Sequence, residues 1–206
     1  MKDIVIYGAG GLGKEMVCLI EQINQDKRQW NLLGFVDDSS LKRSWFGLPV
    51  LGDSDFFKVN HSVNVVVAIG HPAIKKQIAQ KVSQCKFPTL IHPSSQLMSK
   101  NIELASGTVL TAGTVLTCDI KLGCFALVNL NTTIGHDTEI GDYSSIMCGV
   151  NIAGGVRIGE CSFVGSGTNI INQVQIGNNV KIGAGAVVIR NIEDDKTAVG
   201  VPAQTK

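Results

Sequence analysis

Large aliphatic residues recur at every sixth position through the second half of the chain. Fifteen consecutive positions in this phase, from Leu104 to Val188, are all Leu, Ile or Val. The residue four places after each of them is nearly always small or β-branched, and glycine often follows the aliphatic residue directly. Neither the period of an α-helix nor that of an ordinary strand fits this spacing. The spacing predicts a hexapeptide-repeat β-solenoid, in which a short strand and a turn form one side of a triangular prism.

Three sides of such a prism make a coil of 18 residues, and the stretch from about 97 to 190 supplies about five coils. Stacked coils are about 4.8 Å apart, so residues 18 apart in sequence are expected to lie one above the other. The inward positions only fill the core. Any function of this region must therefore come from outward-facing residues.

The first part of the chain has the pattern of a parallel α/β domain. A buried strand is predicted over 3–7, followed by the turn Gly8-Ala9-Gly10-Gly11-Leu12-Gly13 and an amphipathic helix. Further strands are predicted over 30–36 and 63–69, and a helix over about 72–84. We therefore expect a half-Rossmann βαβ domain at 1–88 and an all-β domain at 89–206.

The glycine-rich turn is a candidate nucleotide site. A GxGxxG turn between a strand and a helix lets the backbone approach a phosphate, and the helix amino terminus offers N–H groups to it. Asp37 and Asp38 follow the second strand, where a carboxylate can accept hydrogen bonds from a ribose or a base. The same glycines also fit a tight turn with no ligand. Because the domain provides only one mononucleotide-binding half, it favours a nucleotide-linked ligand over NAD.

Charge and composition exclude several other partners. The chain has 18 Lys plus Arg against 17 Asp plus Glu, without a basic block, which argues against nucleic acid. Its apolar runs are far shorter than a membrane span. The amino terminus leads directly into a strand without a signal sequence, so we expect a cytoplasmic protein. The four histidines lack metal-ligand spacing, and no metal site is expected.

Several motifs together resemble one family over the whole chain. Besides the glycine-rich domain they are Leu90-Ile91-His92-Pro93-Ser94, Ile134-Gly135-His136, Ile152-Ala153-Gly154-Gly155-Val156 and Val199-Gly200-Val201-Pro202-Ala203. This combination resembles the NeuD/PglD family of bacterial sugar acyltransferases. The resemblance implies a homotrimer of left-handed β-helices. It also implies acetyl-CoA in the groove between neighbouring helices and a sugar held partly by the amino-terminal domain.

The family's catalytic base is a histidine followed by an acidic residue, which corresponds to His136 and Asp137. The hexad spacing agrees, because His136 stands two residues after the inward Ile134 and so points outward. A neighbouring carboxylate orients an imidazole and stabilises its protonated form. Direct acyl transfer is expected, because the outward groove pairs the base with no obvious nucleophile. Cys118 is the only thiol in the column of residues that holds His136, and it is expected to be a packed cysteine.

Further site residues follow from the coil period and from the resemblance. Gly154 lies 18 residues after His136, so we expect it to leave space beside the imidazole and to offer its N–H to an oxyanion. Turn geometry alone would also account for these glycines. The expected contacts of acetyl-CoA are Gly154, Gly155, Ser166, Gly167, Ala184 and Gly185. By resemblance, the substrate contacts are Gly8, Gly10, Gly11, Gly13, Asp37, Asp38, Gly70 and Asn129.

The predicted function is acetyl-CoA-dependent N-acetylation of a nucleotide-linked amino sugar, of the UDP-4-amino-sugar type, in surface glycan biosynthesis. O-acetylation of sialic acid or a related sugar is the alternative within the family. A catalytically silent nucleotide-sensing trimer and an NAD-dependent oxidoreductase are less favoured. The oxidoreductase would leave the fifteen repeats without a role.

Overall fold

A computed structural model describes residues 1–39 and 43–206 of the chain. These residues form two compact units, Met1–Pro93 and Ser94–Lys206. The division follows Pro93, a few residues beyond the boundary expected from the sequence. Within the described ranges, no helix has the length and apolarity needed to cross a bilayer.

The first unit is built around a three-stranded parallel sheet, in which Lys2–Tyr7 is the central strand and Trp30–Val36 and Asn64–Val67 lie on either side of it. Its elements are β1 (Lys2–Tyr7), α1 (Gly11–Asp26), β2 (Trp30–Val36), β3 (Ser44–Trp45), β4 (Leu48–Pro49), α2 (Phe56–Val59), β5 (Asn64–Val67), α3 (Pro72–Lys81) and β6 (Leu90–Ile91). The last four residues of β1 are buried, and α1 buries one apolar face. The predicted βαβ arrangement is confirmed.

A short hairpin between β2 and β5 was not predicted from the sequence. Strands β3 and β4 pair antiparallel through the two-residue turn Phe46-Gly47, in which both residues have positive φ, 48° and 76°. Such a turn matches the twist of a hairpin. The sequence signal was Gly47 alone, because an aromatic residue is unusual at the other turn position.

The second unit is a parallel β-helix with three faces. Face 1 contains β8 (Ile102–Leu104), β11 (Ile120–Leu122), β14 (Glu139–Ile140), β17 (Arg157–Ile158) and β20 (Gln175–Ile176). Face 2 contains β9 (Val109–Leu110), β12 (Leu127–Val128), β15 (Ser145–Ile146), β18 (Phe163–Val164) and β21 (Lys181–Ile182), extended by β23 (Thr197–Val199) and β24 (Gln204–Thr205). Face 3 contains β7 (Gln96–Leu97), β10 (Val115–Leu116), β13 (Thr133–Ile134), β16 (Asn151–Ile152), β19 (Asn169–Ile170) and β22 (Val187–Val188).

The strand register confirms the 18-residue coil. Ile134 pairs with Ile152 and Ile152 with Ile170, each 18 residues further along. Face 3 has six strands, which gives about six turns, one more than the coils counted from the sequence. This arrangement is the left-handed β-helix of hexapeptide-repeat proteins.

The two inward phases build the core in different ways. The large aliphatic residues pack in one continuous cluster that runs from Leu110 to Ala198. The small residues include hydroxyls that are fully buried and that donate to carbonyls of the next coil. Ser144 Oγ donates to Gly159 O at 2.7 Å, and Ser162 Oγ donates to Gly177 O at 2.8 Å. The small phase therefore also satisfies polar backbone groups at the corners.

A third phase sets the backbone of the corners. Every sixth residue from Gly107 to Gly185 has a positive φ, between 53° and 73°. Most of these residues are Gly, Asn or Asp, the types that best tolerate the left-handed region. The four exceptions are Phe125, Tyr143, Cys161 and Gln173, and the rings of Phe125 and Tyr143 stack at 5.3 Å between centroids. That contact offsets part of the conformational cost.

Candidate active site

His136 and Asp137 form the corner between face 3 and face 1. His136 Nδ1 lies 2.7 Å from Asp137 Oδ2, and the two side chains are 65% and 67% exposed. Asp137 occupies the left-handed corner position with φ of 58°, which an aspartate tolerates well. With Nδ1–H donating to the carboxylate, the neutral ring presents the lone pair of Nε2 to solvent. The pair is therefore arranged so that Nε2 can accept a proton.

Gly154 occupies the same corner one coil further along. A Cβ at this position would lie 2.6 Å from His136 Cε1 and closer still to Nε2, so any side chain would collide with the imidazole. The φ of Gly154 is not in the left-handed region, unlike that of Gly155 at 70°. Glycine at 154 thus leaves room for the His136 ring in its present position, and glycine at 155 is accounted for by the turn.

The backbone N–H of Gly154 differs from the corresponding groups at another corner. Between face 1 and face 2, the N–H groups of Cys124, Glu160 and Asn178 donate to side chains of the next coil, at 2.7 to 2.9 Å. In the part of the chain that the structure describes, the N–H of Gly154 donates no hydrogen bond. One donor beside the His136 imidazole therefore remains available to a ligand.

The His136 corner opens into a shallow depression of about 400 Å³. Its lining residues are His136, Asp137, Gly154, Gly155, Arg157, Asn172 and Gln173. Arg157 was not singled out from the sequence. It projects from β17 on face 1, with Nε 3.9 Å from Glu139 Oε2. Its position in the outward phase, 18 residues after Glu139, was the available signal.

The remaining residues expected to contact acetyl-CoA lie on a different edge of the prism. Ser166 and Gly167, and likewise Ala184 and Gly185, form corners between face 2 and face 3. Gly167 and Gly185 have φ of 71° and 69°, which the turn itself requires. A single chain therefore brings together His136, Gly154 and Gly155, and separates them from this second set by the width of face 3.

Asn129 is also separate from the His136 corner. It is 2% exposed, and its Oδ1 accepts hydrogen bonds from Thr111 Oγ1 at 3.2 Å and from the N–H of Leu130 at 2.8 Å. It follows β12 on face 2, next to the edge that holds Ser166. In the isolated chain this side chain is occupied within the β-helix.

The glycine-rich turn of the first unit contains two kinds of glycine. Gly8 has φ of 115° and a Cβ there would lie 2.9 Å from Ala68 O, while a Cβ at Gly13 would overlap Gly8 O. These two are needed for close packing of β1, β5 and α1. A Cβ at Gly10, Gly11 or Gly70 would meet nothing within 4 Å. The protein itself therefore does not require glycine at these three open positions.

Asp37 and Asp38 hold the backbone around this turn. Asp37 Oδ2 accepts the N–H of Ala9 at 2.7 Å, and its Oδ1 accepts from Ser39. Asp38 accepts the Ser54 N–H at 2.8 Å and the Lys81 ammonium at 2.6 Å. Burial opposes ionisation of Asp38, but these donors outweigh it and lower its pKa to about 2. Both carboxylates therefore have a structural role, because they accept backbone N–H groups, and both also line the cavity at this end of the sheet.

A cavity of about 410 Å³ lies at the carboxyl ends of the sheet strands. It is lined by Tyr7, Gly8, Asp37, Asp38, Ser39, Ile69, Ile74, Gln77, Ile78 and Lys81. The Tyr7 hydroxyl is buried near Asp38 and, within the described ranges, makes no hydrogen bond of normal geometry. Burial, the larger cause, and the neighbouring Asp38 carboxylate raise the pKa of Tyr7. This crevice is where parallel α/β sheets bind ligands.

Comparisons with known proteins agree with both units. Residues 3–82 match the PglD N-terminal domain, and residues 155–190 match the bacterial transferase hexapeptide, six repeats. A search of curated proteins by sequence finds no match. Among the described residues, no group of three or more His, Cys, Asp or Glu side chains could hold a metal ion.

Solved structures resemble the whole chain. A variant of perosamine N-acetyltransferase from Caulobacter crescentus, in complex with CoA and GDP-perosamine, is 28% identical, with a TM-score of 0.92, covering 100% of this chain and 97% of that one. The acetyltransferase domain of PglB from Neisseria gonorrhoeae, in complex with acetyl coenzyme A, is 29% identical, with a TM-score of 0.90 and coverage of 100% and 99%. WeeI from Acinetobacter baumannii is 28% identical, with a TM-score of 0.88 and full coverage of both chains.

Proposed function

Because the chain belongs to the sugar acyltransferases that join a PglD-type domain to hexapeptide repeats, we propose that it transfers an acetyl group from acetyl-CoA to a nucleotide-linked amino sugar. The observation that carries this proposal is the pairing, in one chain, of an exposed His136–Asp137 corner with an open glycine-rich crevice. The complexes of the Caulobacter enzyme with CoA and GDP-perosamine support the same pair of substrates.

His136 is the proposed general base. Nε2 takes a proton from the acceptor amine as its nitrogen attacks the thioester carbonyl carbon, and Asp137 stabilises the imidazolium that forms. The N–C bond forms and the C–S bond breaks when the tetrahedral intermediate collapses. CoA leaves as a thiolate, and the imidazolium then gives its proton to the thiolate sulfur. No acyl-enzyme is needed, since the amine reaches the thioester directly.

Gly154 is the proposed oxyanion donor. The N–H of Gly154 has no acceptor among the described residues, and the residue lies against the imidazole. A thioester oxygen placed there would accept this hydrogen bond while the reacting carbon faces Nε2. Such a preorganised donor stabilises charge that develops only in the transition state.

The acetyl-CoA contacts favour a homotrimer. Gly154 and Gly155 lie on one edge of the prism, and Ser166, Gly167 and Gly185 lie on another. A pantetheine arm along the His136 edge reaches the second set only across face 3, whereas a neighbouring copy can present that set directly. Ser166, Gly167, Ala184, Gly185 and Asn129 would then act from the adjacent subunit. Light scattering in solution tests this assembly, and a monomeric active enzyme would exclude it.

The nucleotide is proposed to occupy the crevice of the first unit. Gly10, Gly11 and Gly70 leave room for a backbone-bound phosphate, while Asp38 and Lys81 present an acceptor and a donor side by side to a base or ribose. The buried Tyr7 hydroxyl lies near Asp38 and lines the cavity together with Asp38 and Lys81.

The acceptor is tested by release of free thiol from acetyl-CoA over UDP-, GDP- and dTDP-linked amino sugars and free sialic acid, with products identified by mass spectrometry. Turnover of one nucleotide-linked amino sugar, with acetylation at nitrogen, supports the proposal. Turnover of sialic acid alone would replace it by O-acetylation. Binding of a nucleotide without any thiol release would instead indicate a sensing protein.

A further inference from the structure

The β3–β4 hairpin lies on the glycine-rich turn. The indole Nε1 of Trp45 donates to Gly10 O at 3.3 Å, and the Lys14 ammonium stands 4.4 Å from the centre of the Trp45 ring and 5.8 Å from that of Phe46. Lys14 is in the first turn of α1, so its charge is held beside the open glycines Gly10 and Gly11. These contacts fix the position of a cation at the mouth of the turn.

Lys14 and Lys81 differ in whether a carboxylate neutralises their charge. Lys81 forms an ion pair with Asp38 at 2.6 Å. Among residues 1–39 and 43–206, the Lys14 ammonium forms no ion pair or hydrogen bond, and it lies near the two aromatic rings. A ring covers one side of an ammonium and leaves its other N–H donors free for an anion.

Phe46 has an unfavourable backbone conformation at the tip of the hairpin. It is 50% exposed at the hairpin tip and has φ of 48°, a conformation that an aromatic residue rarely adopts. Phe125 and Tyr143 adopt a similar φ at corners of the β-helix, so the conformation alone does not mark a ligand site. What distinguishes Phe46 is that its ring lies near the Lys14 ammonium. The neighbouring Gly47 shows that the turn itself could be built from residues suited to positive φ.

A diphosphate in this crevice needs a full positive charge. Asp37 accepts the N–H of Ala9 in the glycine-rich turn, so a carboxylate lies close to the open glycines, and a carboxylate repels a phosphate group. Lys81 is already balanced by Asp38, and backbone N–H groups supply only partial charge. Lys14 is the cation that the described geometry holds beside the open glycines.

We propose that Lys14 binds the diphosphate of the nucleotide-linked acceptor and that Trp45 is the positioning residue that orients it, with Phe46 as a second aromatic wall. This proposal rests on the proposed function, because it takes the acceptor to be nucleotide-linked. Its chemistry is charge-assisted hydrogen bonding from an ammonium to phosphate oxygens.

The test is calorimetric titration of UDP, GDP and dTDP into wild type, Lys14→Met, Lys14→Arg and Trp45→Leu, at low and high salt. Lys14→Met should weaken binding of the recognised diphosphate about tenfold or more, and Lys14→Arg should restore most of it. The loss should shrink at high salt, because it is a loss of charge attraction. Trp45→Leu should give an intermediate loss. Lys27→Met, which removes a lysine at the other end of α1, is the matched control and should bind as wild type does.

Tryptophan fluorescence gives a second readout that does not depend on Lys14. The chain has two tryptophans, and Trp30 is buried at 7% exposure. Binding of the diphosphate should therefore change the emission of wild type, and the change should disappear in Trp45→Phe.

The possible failures are distinguishable. Equal diphosphate affinity in wild type and Lys14→Met, or a loss that does not depend on salt, overturns the role of Lys14 and leaves the proposed function standing. A wild-type chain that binds none of the three diphosphates overturns the nucleotide-linked acceptor, and with it this proposal.

Discussion

Gly154 lies against the imidazole of His136, one coil further along the β-helix, in the space where any other residue would place its Cβ. The two residues are 18 apart in sequence, and the stacking of coils makes them neighbours. A histidine at an outward corner would otherwise be an ordinary surface residue. The missing side chain at 154 leaves room for the ring, which Asp137 holds through Nδ1, and an unpaired N–H lies beside it.

Replacement Gly154→Ala should therefore damage catalysis more than stability. The new methyl group would meet Cε1 at 2.6 Å and push the ring out of place. We expect kcat to fall about 100-fold, since correct placement of a general base is worth that much, while the melting temperature changes little. Steady-state kinetics and thermal melts check both. Unchanged kcat in a folded variant would contradict the role given to this contact.

Asp137→Asn should slow the reaction without unfolding the corner. Asparagine tolerates the same positive φ, but a neutral amide no longer stabilises the imidazolium. We expect kcat to fall about tenfold or more. Glu139→Gln is the matched control, since it removes a carboxylate two residues away that does not contact His136. Equal losses of kcat in the two variants would show that the negative charge of this surface, and not the contact between Asp137 and His136, supports catalysis.

The periodic part of the structure was predictable because it repeats. The aliphatic phase alone indicates the 18-residue coil, and the register of Ile134, Ile152 and Ile170 follows it. The βαβ order was also predictable, and β2 spans the predicted 30–36. The end of α3 was harder to predict, since the helix ends at Lys81 and not near Gln84. Local patterns set such ends only weakly.

The site was predictable where residues share a corner and not where they lie on different edges. His136, Asp137 and Gly154 follow from a motif and a period. Whether Ser166 lies near His136 depends on which edge of the prism each occupies, and six-residue spacing does not reveal that directly. The β3–β4 hairpin was missed because Phe46 is an unusual residue at its turn.

The ion pair between Asp38 and Lys81 predicts a pH dependence of stability. The folded-state pKa of Asp38, about 2, lies below the ordinary value for an aspartate, so ionised Asp38 stabilises the fold. That contribution is complete at neutral pH and is lost as the pH falls from about 4 towards 2. The pair is partly exposed, so the effect is modest and is screened by salt.

Thermal melts of wild type and Asp38→Asn between pH 7 and pH 3 measure this effect. The variant should melt at a lower temperature at pH 7, and the gap should narrow in acid. A gap that stays constant with pH would mean that the charge of Asp38 does not contribute.

Ser144→Ala should destabilise the β-helix. Ser144 Oγ donates to Gly159 O at 2.7 Å and accepts the Ser162 N–H at 3.0 Å, in a fully buried position. Removing it leaves two buried backbone groups unpaired, which costs about 1–3 kcal/mol each at most. Chemical denaturation should show a lower free energy of unfolding. Ser83→Ala, at an exposed position, is the control and should leave that free energy unchanged.

The most direct test of the account compares wild type with His136→Ala on the acceptor that the substrate panel identifies. Thiol release from acetyl-CoA gives the turnover, and calorimetry gives the affinity for CoA and for the acceptor. Turnover should fall about 100-fold or more, with both affinities close to those of wild type. A variant that retains wild-type turnover would contradict the assignment of His136 as the base.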